Sequence, residues 1–194
     1  MSRDVVRAQF EDSLRTKRVF LDEYADAVAR AGEMLIASLR AGGKVLLFGN
    51  GGSAADAQHI AAEFVGRFVR QRDGLPAVAL TTDTSALTAI ANDFGYDDVF
   101  ARQVRALGRR GDIAIAISTS GKSPSVLRAV EACKATGIGT IGLTGGDGGQ
   151  LVSAVDVPLV VTASTLSARI QETHITIGHV LCELVDAALS GDGA

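Results

Sequence analysis

Apolar residues recur at helical spacing through the first forty residues of the chain. One stripe repeats every seven residues and consists of Leu14, Leu21, Val28 and Leu35. This spacing predicts one long helix, or two, from Val5 to about Arg40. Such a stripe before the first strand could cover a sheet or pack on another subunit, and we favour an oligomer formed through residues 1–41.

Short apolar runs alternate with helical patterns in the rest of the chain. The runs predict strands at residues 44–48, 76–80, 113–117, 139–144 and 156–161. Helices are predicted after Gly52, over 84–91 and 99–107, from Pro124, and from about Ser167 to Leu189. Residues 92–96 predict a turn. This alternation favours an α/β fold with a doubly wound, mostly parallel five-stranded sheet flanked by helices, and Pro158 favours an edge position for the last strand.

Composition fits one folded unit. The chain has 194 residues, 47% of them apolar and 21% charged, which predicts one domain over residues 1–194 with its α/β core over 42–194. A net charge of −3 without a basic block argues against nucleic-acid binding. No apolar run approaches the roughly 20 residues of a membrane span, and no signal pattern opens the chain. Cys133 and Cys182 lie in apolar helical patterns, so we expect reduced core thiols in a cytoplasmic protein.

A loop rich in hydroxyl groups follows the third predicted strand. It carries Ser118, Thr119, Ser120 and Ser123, and Pro124 comes directly after them. Ser123 before proline is typical of a helix N-cap. Hydroxyls and unpaired N–H groups at a helix N-terminus favour an anion, and ligands bind at the carboxyl ends of parallel strands. The loop therefore predicts a phosphate site, since four hydroxyls in six positions exceed what capping requires.

A second loop, Gly49-Asn50-Gly51-Gly52-Ser53, follows the first predicted strand. It matches neither the dinucleotide pattern nor the phosphate loop with its Gly-Lys-Ser/Thr ending. Its glycines allow backbone N–H groups to approach a ligand closely, and the Asn50 amide can donate or accept beside them. A tight turn that needs positive φ is the alternative interpretation.

All the candidate metal ligands lie on two predicted helices. His59 and Glu63 are four residues apart and share one helical face, and Gln171 and His179 share a broad face of the last helix. If the helices meet, the four side chains offer two imidazole nitrogens, a carboxylate and an amide oxygen to zinc or a similar ion. A His–Glu pair on a solvated face is the alternative, and glutamine is an uncommon zinc ligand.

Five motifs occur in one order across nearly the whole chain. They are Gly49-Asn50-Gly51-Gly52-Ser53, Asp56-Ala57-Gln58-His59 with Glu63, Asn92-Asp93-Phe94-Gly95, Ser118-Thr119-Ser120-Gly121-Lys122-Ser123, and Arg169-Ile170-Gln171-Glu172-Thr173-His174 with His179. Together they resemble the phosphoheptose isomerase family, whose members carry a sugar isomerase (SIS) domain. The Ser-Thr-Ser-Gly loop alone would indicate only a SIS domain.

The resemblance implies a complete enzyme site. It implies a homotetramer with active sites at subunit interfaces, and one zinc ion per subunit held by His59, Glu63, Gln171 and His179. It also implies sugar-phosphate contacts from Asn50, Gly51, Gly52, Glu63, Asn92, Asp93, Ser118, Thr119, Ser120, Ser123 and Gln171. The implied reaction converts sedoheptulose 7-phosphate to D-glycero-D-manno-heptose 7-phosphate, the entry to activated heptose for bacterial surface polysaccharide.

For this reaction we hypothesise that Glu63 takes the C1 proton and that His179 is the complementary acid. Two alternatives stay open: a non-enzymatic SIS protein resembling the DnaA-associating regulator of replication initiation, and a SIS isomerase of another sugar phosphate. The presence of all four candidate metal ligands favours the enzyme. Ala168 departs from the family pattern, which often has Asp or Thr there, so one contact to a sugar hydroxyl lacks its side chain.

Overall fold

The five apolar runs form one parallel sheet. The strands are β1 (Val45–Gly49), β2 (Ala77–Ala79), β3 (Ile113–Ile117), β4 (Gly139–Gly145) and β5 (Val157–Val161). Their order is β2-β1-β3-β4-β5, every neighbouring pair is parallel, and β5 with Pro158 is an edge strand as predicted. The structure is a computed structural model that describes residues 2–190, so the ends of the predicted domain, Met1 and 191–194, lie outside the described residues.

Helices cover both faces of the sheet. They are α1 (Ser2–Arg40), α2 (Gly52–Val65), α3 (Thr84–Phe94), α4 (Val99–Leu107), α5 (Pro124–Thr136), α6 (Leu151–Ala154) and α7 (Ser167–Leu189), with a 3-10 turn at Tyr96–Asp98. The N-terminal pattern is therefore one helix, and the bounds of α4 and α7 coincide with the predicted ones. Within residues 2–190, none of the helices has the length and apolar character needed to cross a membrane.

Strands β1 and β3 carry no polar side chains because both of their faces are covered. In β1, Leu47 packs with the residues of α1, α2 and α7, whereas the next residue, Phe48, packs with α4 and α5 on the other face. Successive strand residues point to opposite faces, so a strand between two helical layers needs apolar side chains at every position. Cys133 and Cys182 are free and buried in these layers, as expected, and burial raises the pKa of each thiol to about 12.

The predicted turn at residues 92–96 is wrong in its first part. Asn92 and Asp93 lie in the last turn of α3, which continues to Phe94. The helix ends at Gly95, whose φ of 88° is a conformation that L side chains rarely adopt. Asn and Asp are weak helix formers, but the helix continues past them to Phe94 because Gly95, two residues after Asp93, can adopt the conformation that ends it.

His174 of α7 is fully buried against the carboxyl end of β4. Its Nε2–H donates to the carbonyl of Thr144 at 3.0 Å, and among the described residues Nδ1 has no hydrogen-bond partner. Burial lowers the pKa of His174 to about 4, because the charged imidazolium would lose its hydration. The neutral side chain therefore holds α7 against the sheet through its hydrogen bond to β4.

This burial predicts a pH dependence of stability. As the pH falls below about 6.5 the unfolded chain takes up a proton at His174, while the folded protein does not until pH 4 is near. We expect the free energy of unfolding to fall by about 2 kcal/mol between pH 7 and pH 5 from this group. Urea unfolding at fixed protein concentration measures it, with His174→Gln as the non-titrating variant. Equal pH dependence in both proteins would contradict the assignment.

Candidate active site

The two polar loops lie side by side at the carboxyl edge of the sheet. Gly49, the last residue of β1, pairs with Ile117, the last residue of β3, so the loops that follow them start from neighbouring positions. The Asn50 amide Nδ2 donates to the hydroxyl of Ser125 at 3.0 Å, in the first turn of α5. The edge at which parallel sheets bind ligands thus carries both loops.

The hydroxyl loop, residues 118–123, folds over the N-terminus of α5. Ser123 occupies the N-cap position without making the side-chain cap, and its Oγ instead lies 3.1 Å from Oγ of Ser118. The N–H of Lys122 donates to Oγ of Ser120 at 3.2 Å. Thr119 and Ser120 line a cavity of about 330 Å³. Two of the four hydroxyls therefore face this cavity.

Three of the four predicted metal ligands converge. The Nε2 atoms of His59 and His179 are 2.9 Å apart, and Nε2 of His59 is 3.6 Å from Oε1 of Glu63. One ligand atom from each of the three residues lies within 4.8 Å of the others. Ligands about 2.0–2.1 Å from a tetrahedral zinc ion lie roughly 3.3 Å apart. The spacing and the nitrogen and carboxylate donors therefore fit such an ion.

Packing between α2 and α7 brings these side chains together. Gly178, next to His179, faces Ile60 so closely that a Cβ there would overlap the isoleucine side chain. The missing side chain lets the two helices approach at the level of the histidines. The ring of Phe68 lies 5.5 Å from the His179 ring and covers it from the loop after α2.

Gln171, on α7, lies against the start of α2. Its amide contacts Gly52 so closely that a side chain at Gly52 would collide with it. Gln171 is two helical turns before His179 on α7, so it lies beside the glycine loop. Asn92 and Asp93 are exposed, and the Asn92 amide donates to the Asp93 carboxylate at 2.8 Å.

Tyr96 is a residue of this edge that the sequence analysis treated only as part of a turn. Its hydroxyl donates to Oδ1 of Asn50 at 2.9 Å, so Tyr96 joins the end of α3 to the glycine loop. Both ends of the Asn50 amide are then engaged, because Nδ2 bonds Ser125. The only signal in the sequence was its place directly after Asn92-Asp93-Phe94-Gly95.

Asp56 is a further residue near the histidines whose sequence position indicated no separate role. It lies one turn before His59 on α2, and within residues 2–190 its Oδ2 is buried without a hydrogen-bond partner. Burial raises the pKa of Asp56, and the neighbouring His59 partly opposes that shift. The carboxyl adds a second acidic group near the histidines.

The sheet order and the hydroxyl loop at its carboxyl edge define a sugar isomerase (SIS) domain, and the SIS domain family model matches residues 9–145. The chain belongs to the phosphoheptose isomerase family of SIS domain proteins. It is 56% identical to the phosphoheptose isomerase of Roseiflexus sp. (strain RS-1) over 181 residues, which cover 93% of this chain and 91% of the relative. It is 52% identical to that of Thermodesulfovibrio yellowstonii over 186 residues, 96% of this chain and 92% of the relative.

Solved structures agree with this membership. The phosphoheptose isomerase of Neisseria gonorrhoeae superposes with a TM-score of 0.91 at 46% identity, covering 96% of this chain and 100% of that one. A phosphoheptose isomerase from Francisella tularensis superposes with a TM-score of 0.92 at 39% identity, covering 96% of this chain and 99% of that one. The resemblance carried by the five motifs is confirmed.

Proposed function

We propose that the protein isomerises sedoheptulose 7-phosphate to D-glycero-D-manno-heptose 7-phosphate, the first step of activated-heptose synthesis for bacterial surface polysaccharide. The observation that carries the proposal is the convergence of His59, Glu63 and His179 in a chain 56% identical to a phosphoheptose isomerase. Isomerisation of a ketose to an aldose needs a base, an acid and polarised oxygens at adjacent carbons. These three side chains supply the first two.

The chemistry moves hydrogen between two carbons. Glu63 takes a proton from C1 of the ketose while His179 donates a proton to the C2 oxygen, which gives the enediol. Glu63 then returns its proton to C2 while the proton of the C1 hydroxyl passes to His179, so the aldose forms and both side chains recover their starting protonation states. Glu63 is a quarter exposed, which leaves its carboxylate accessible to a substrate.

The proposed metal ligands are His59, Glu63, Gln171 and His179, with zinc as the ion. A bound zinc ion would polarise the substrate carbonyl and hydroxyl oxygens. Coordination lowers the basicity of a carboxylate, so Glu63 can act as base only through an oxygen that is free at that moment. The close contact of Gln171 with Gly52 supports its position beside the glycine loop.

The remaining site residues orient the substrate in this proposal. The phosphate binds Ser118, Thr119, Ser120 and Ser123, at the positive end of the α5 dipole. The sugar contacts Asn50, Gly51, Gly52, Asn92, Asp93 and Gln171. Binding a distant phosphate holds C1 against the base and converts binding energy into orientation.

We also propose that α1 serves assembly into a homotetramer with sites at subunit interfaces. Phe10 and Leu14 are 70% and 66% exposed, and a cavity of about 390 Å³ between α1 and α7 is lined by apolar residues such as Phe20 and Val180. Burying such surface against a second copy is favourable. Sedimentation equilibrium measures the number of subunits in the assembly.

Because phosphorylated sugars are charged and do not cross membranes freely, we assign the protein to the cytoplasm.

Turnover of sedoheptulose 7-phosphate by zinc-loaded protein tests the function. We expect the aldose 7-phosphate as product, with other ketose phosphates such as fructose 6-phosphate turned over far more slowly. Fast turnover of another sugar phosphate would support the SIS isomerase of different specificity. Absence of turnover with every sugar phosphate would contradict the proposed isomerase activity, and DnaA binding would then be assayed.

Tyr96→Phe tests the link between α3 and the glycine loop. The variant keeps the ring but loses the hydroxyl that bonds Asn50. A hydrogen bond of this kind contributes about 1 kcal/mol, so we expect KM to rise about fivefold with kcat within twofold of the wild type. Steady-state kinetics measures both constants. An unchanged KM would contradict a role of this bond in substrate binding.

A further inference from the structure

Helix α7 also contains a buried carboxylate, that of Asp186, which is not one of the proposed metal ligands. Asp186 is completely buried, and its Oδ2 accepts hydrogen bonds from the backbone N–H groups of Val69 and Arg70 at 2.9 and 2.8 Å. Its Oδ1 accepts from Nε of Arg72. The loop after α2, residues 66–76, is thereby fastened to α7.

Arg72 reaches from this loop to the end of α2. The side chain is 4% exposed, its Nη2 donates to the carbonyl of Glu63 at 2.9 Å, and its Nη1 donates to the carbonyl of Phe64 at 2.9 Å. The last carbonyls of a helix have no partner within the helix, so the guanidinium satisfies the carbonyl of Glu63 and shares that of Phe64 with the N–H of Leu75. One of these carbonyls belongs to Glu63 itself.

The pair therefore connects the backbone of Glu63 to the helix of His179. Asp186 is seven residues after His179, two turns along α7 and on the same side. Cys182 lies between them in the sequence, and burial, together with the charges of Glu63 and Asp186, raises the pKa of its thiol. The fastened loop also holds Phe68 against the His179 ring.

We propose that Asp186 and Arg72 are positioning residues that hold Glu63 at the correct separation from His179, and so determine the metal affinity and the acid–base geometry of the site. This inference rests on the proposed function. A buried ion pair is costly to desolvate and is often no more stabilising than apolar residues of the same volume, so stability alone does not account for it. Holding two helices at a defined separation does.

The chain contains a matched control outside α2 and α7. Asp112 is 3% exposed and accepts from the backbone N–H groups of Lys44 and Arg109 at 3.0 and 2.8 Å, and from Nζ of Lys44 at 2.6 Å. It thus has the same kind of partners as Asp186: two backbone donors and one cationic side chain. Asp112 directly precedes β3, and none of these hydrogen-bond partners belongs to the two helices that carry the proposed metal ligands.

Asp186→Asn and Asp112→Asn are compared in the full-length protein. Zinc affinity is measured by competition with a chromogenic chelator, and kcat, KM and urea unfolding are measured beside it. We expect both variants to lose stability, but only Asp186→Asn to lose zinc affinity, by at least about tenfold, together with kcat. Arg72→Lys keeps a charge for Asp186 but not the fork that reaches the α2 carbonyls, and it is expected to lie between wild type and Asp186→Asn.

The possible results distinguish a failure of this inference from a failure of the proposed function. Wild-type zinc affinity in Asp186→Asn, or equal losses in Asp186→Asn and Asp112→Asn, would overturn the positioning role. If Asp186→Asn does not fold, the same comparison is made with Arg72→Lys, where unchanged zinc affinity and kcat would overturn it. Wild-type protein that binds zinc without turning over the heptulose phosphate would overturn the proposed function and leave the affinity comparison valid.

Discussion

We expect Glu63→Gln to lower kcat for sedoheptulose 7-phosphate by about a thousandfold, because an amide cannot take the C1 proton. Glutamine keeps the length of the side chain and an oxygen toward His59, whose Nε2 is 3.6 Å from the Glu63 carboxylate in the wild type. The packing of α2 is therefore retained, and KM is expected to change much less than kcat. Steady-state turnover of the zinc-loaded protein measures the effect.

Glu183→Gln is the control for this substitution. Glu183 lies one turn after His179 on α7, is half-buried and pairs with the exposed Arg70. Loss of a partly exposed ion pair changes little, so kcat should stay within twofold of the wild type. The zinc content of each protein separates loss of the base from loss of a ligand. A Glu63→Gln protein that retains more than a tenth of the wild-type kcat would remove Glu63 from the role of base.

The fold was predictable because its signals are local. The strand β3 is a continuous apolar run, Ile113–Ile117, and the start of α5 is marked by Ser123 and proline. The run of β2 was predicted at five residues and the strand covers Ala77–Ala79, while the flanking Pro76 carbonyl and Leu80 N–H still form hydrogen bonds with β1. The four-residue helix α6 was missed because so short a segment shows no period.

The site was predictable in its chemistry and less so in its geometry. Helical spacing placed His59 and Glu63 on one face, but whether His179 meets them depends on how α2 packs on α7. That approach depends on a glycine, Gly178, facing Ile60, and no local pattern indicates such a contact. Ser123 shows the same limit, since its sequence position is that of a cap while its hydroxyl turns to Ser118.

Residues that are far apart in the chain but in contact in the fold could not be recognised from local sequence patterns. Asp186 and Arg72 are 114 positions apart, and each is an ordinary charged residue in its own segment. Their burial shows only when the loop after α2 folds onto α7. Pattern analysis finds residue types suited to chemistry, whereas the residues that hold them in place are recognised from their partners.

We expect Gly121→Ala to raise the dissociation constant of the hydroxyl loop for the substrate phosphate by roughly a hundredfold, because the loop can no longer keep its shape. Gly121 has a φ of 62°, and a Cβ on it would overlap the backbone carbonyl of Gly148 and crowd Thr144. Neither neighbour is the free end of a flexible side chain. The loop must therefore move, and Ser120 and Ser123 move with it.

Gly137→Ala separates this displacement from the general cost of alanine at positive φ. Gly137 has a φ of 77° at the end of α5, and its Cβ would meet only the flexible side chain of Arg110 at 3.2 Å. Both variants lose about 1 kcal/mol to the left-handed backbone conformation, but only Gly121→Ala distorts the phosphate site. Inorganic phosphate, titrated as a competitive inhibitor, reports the site directly. Equal phosphate inhibition of the two variants would place the phosphate outside residues 118–123.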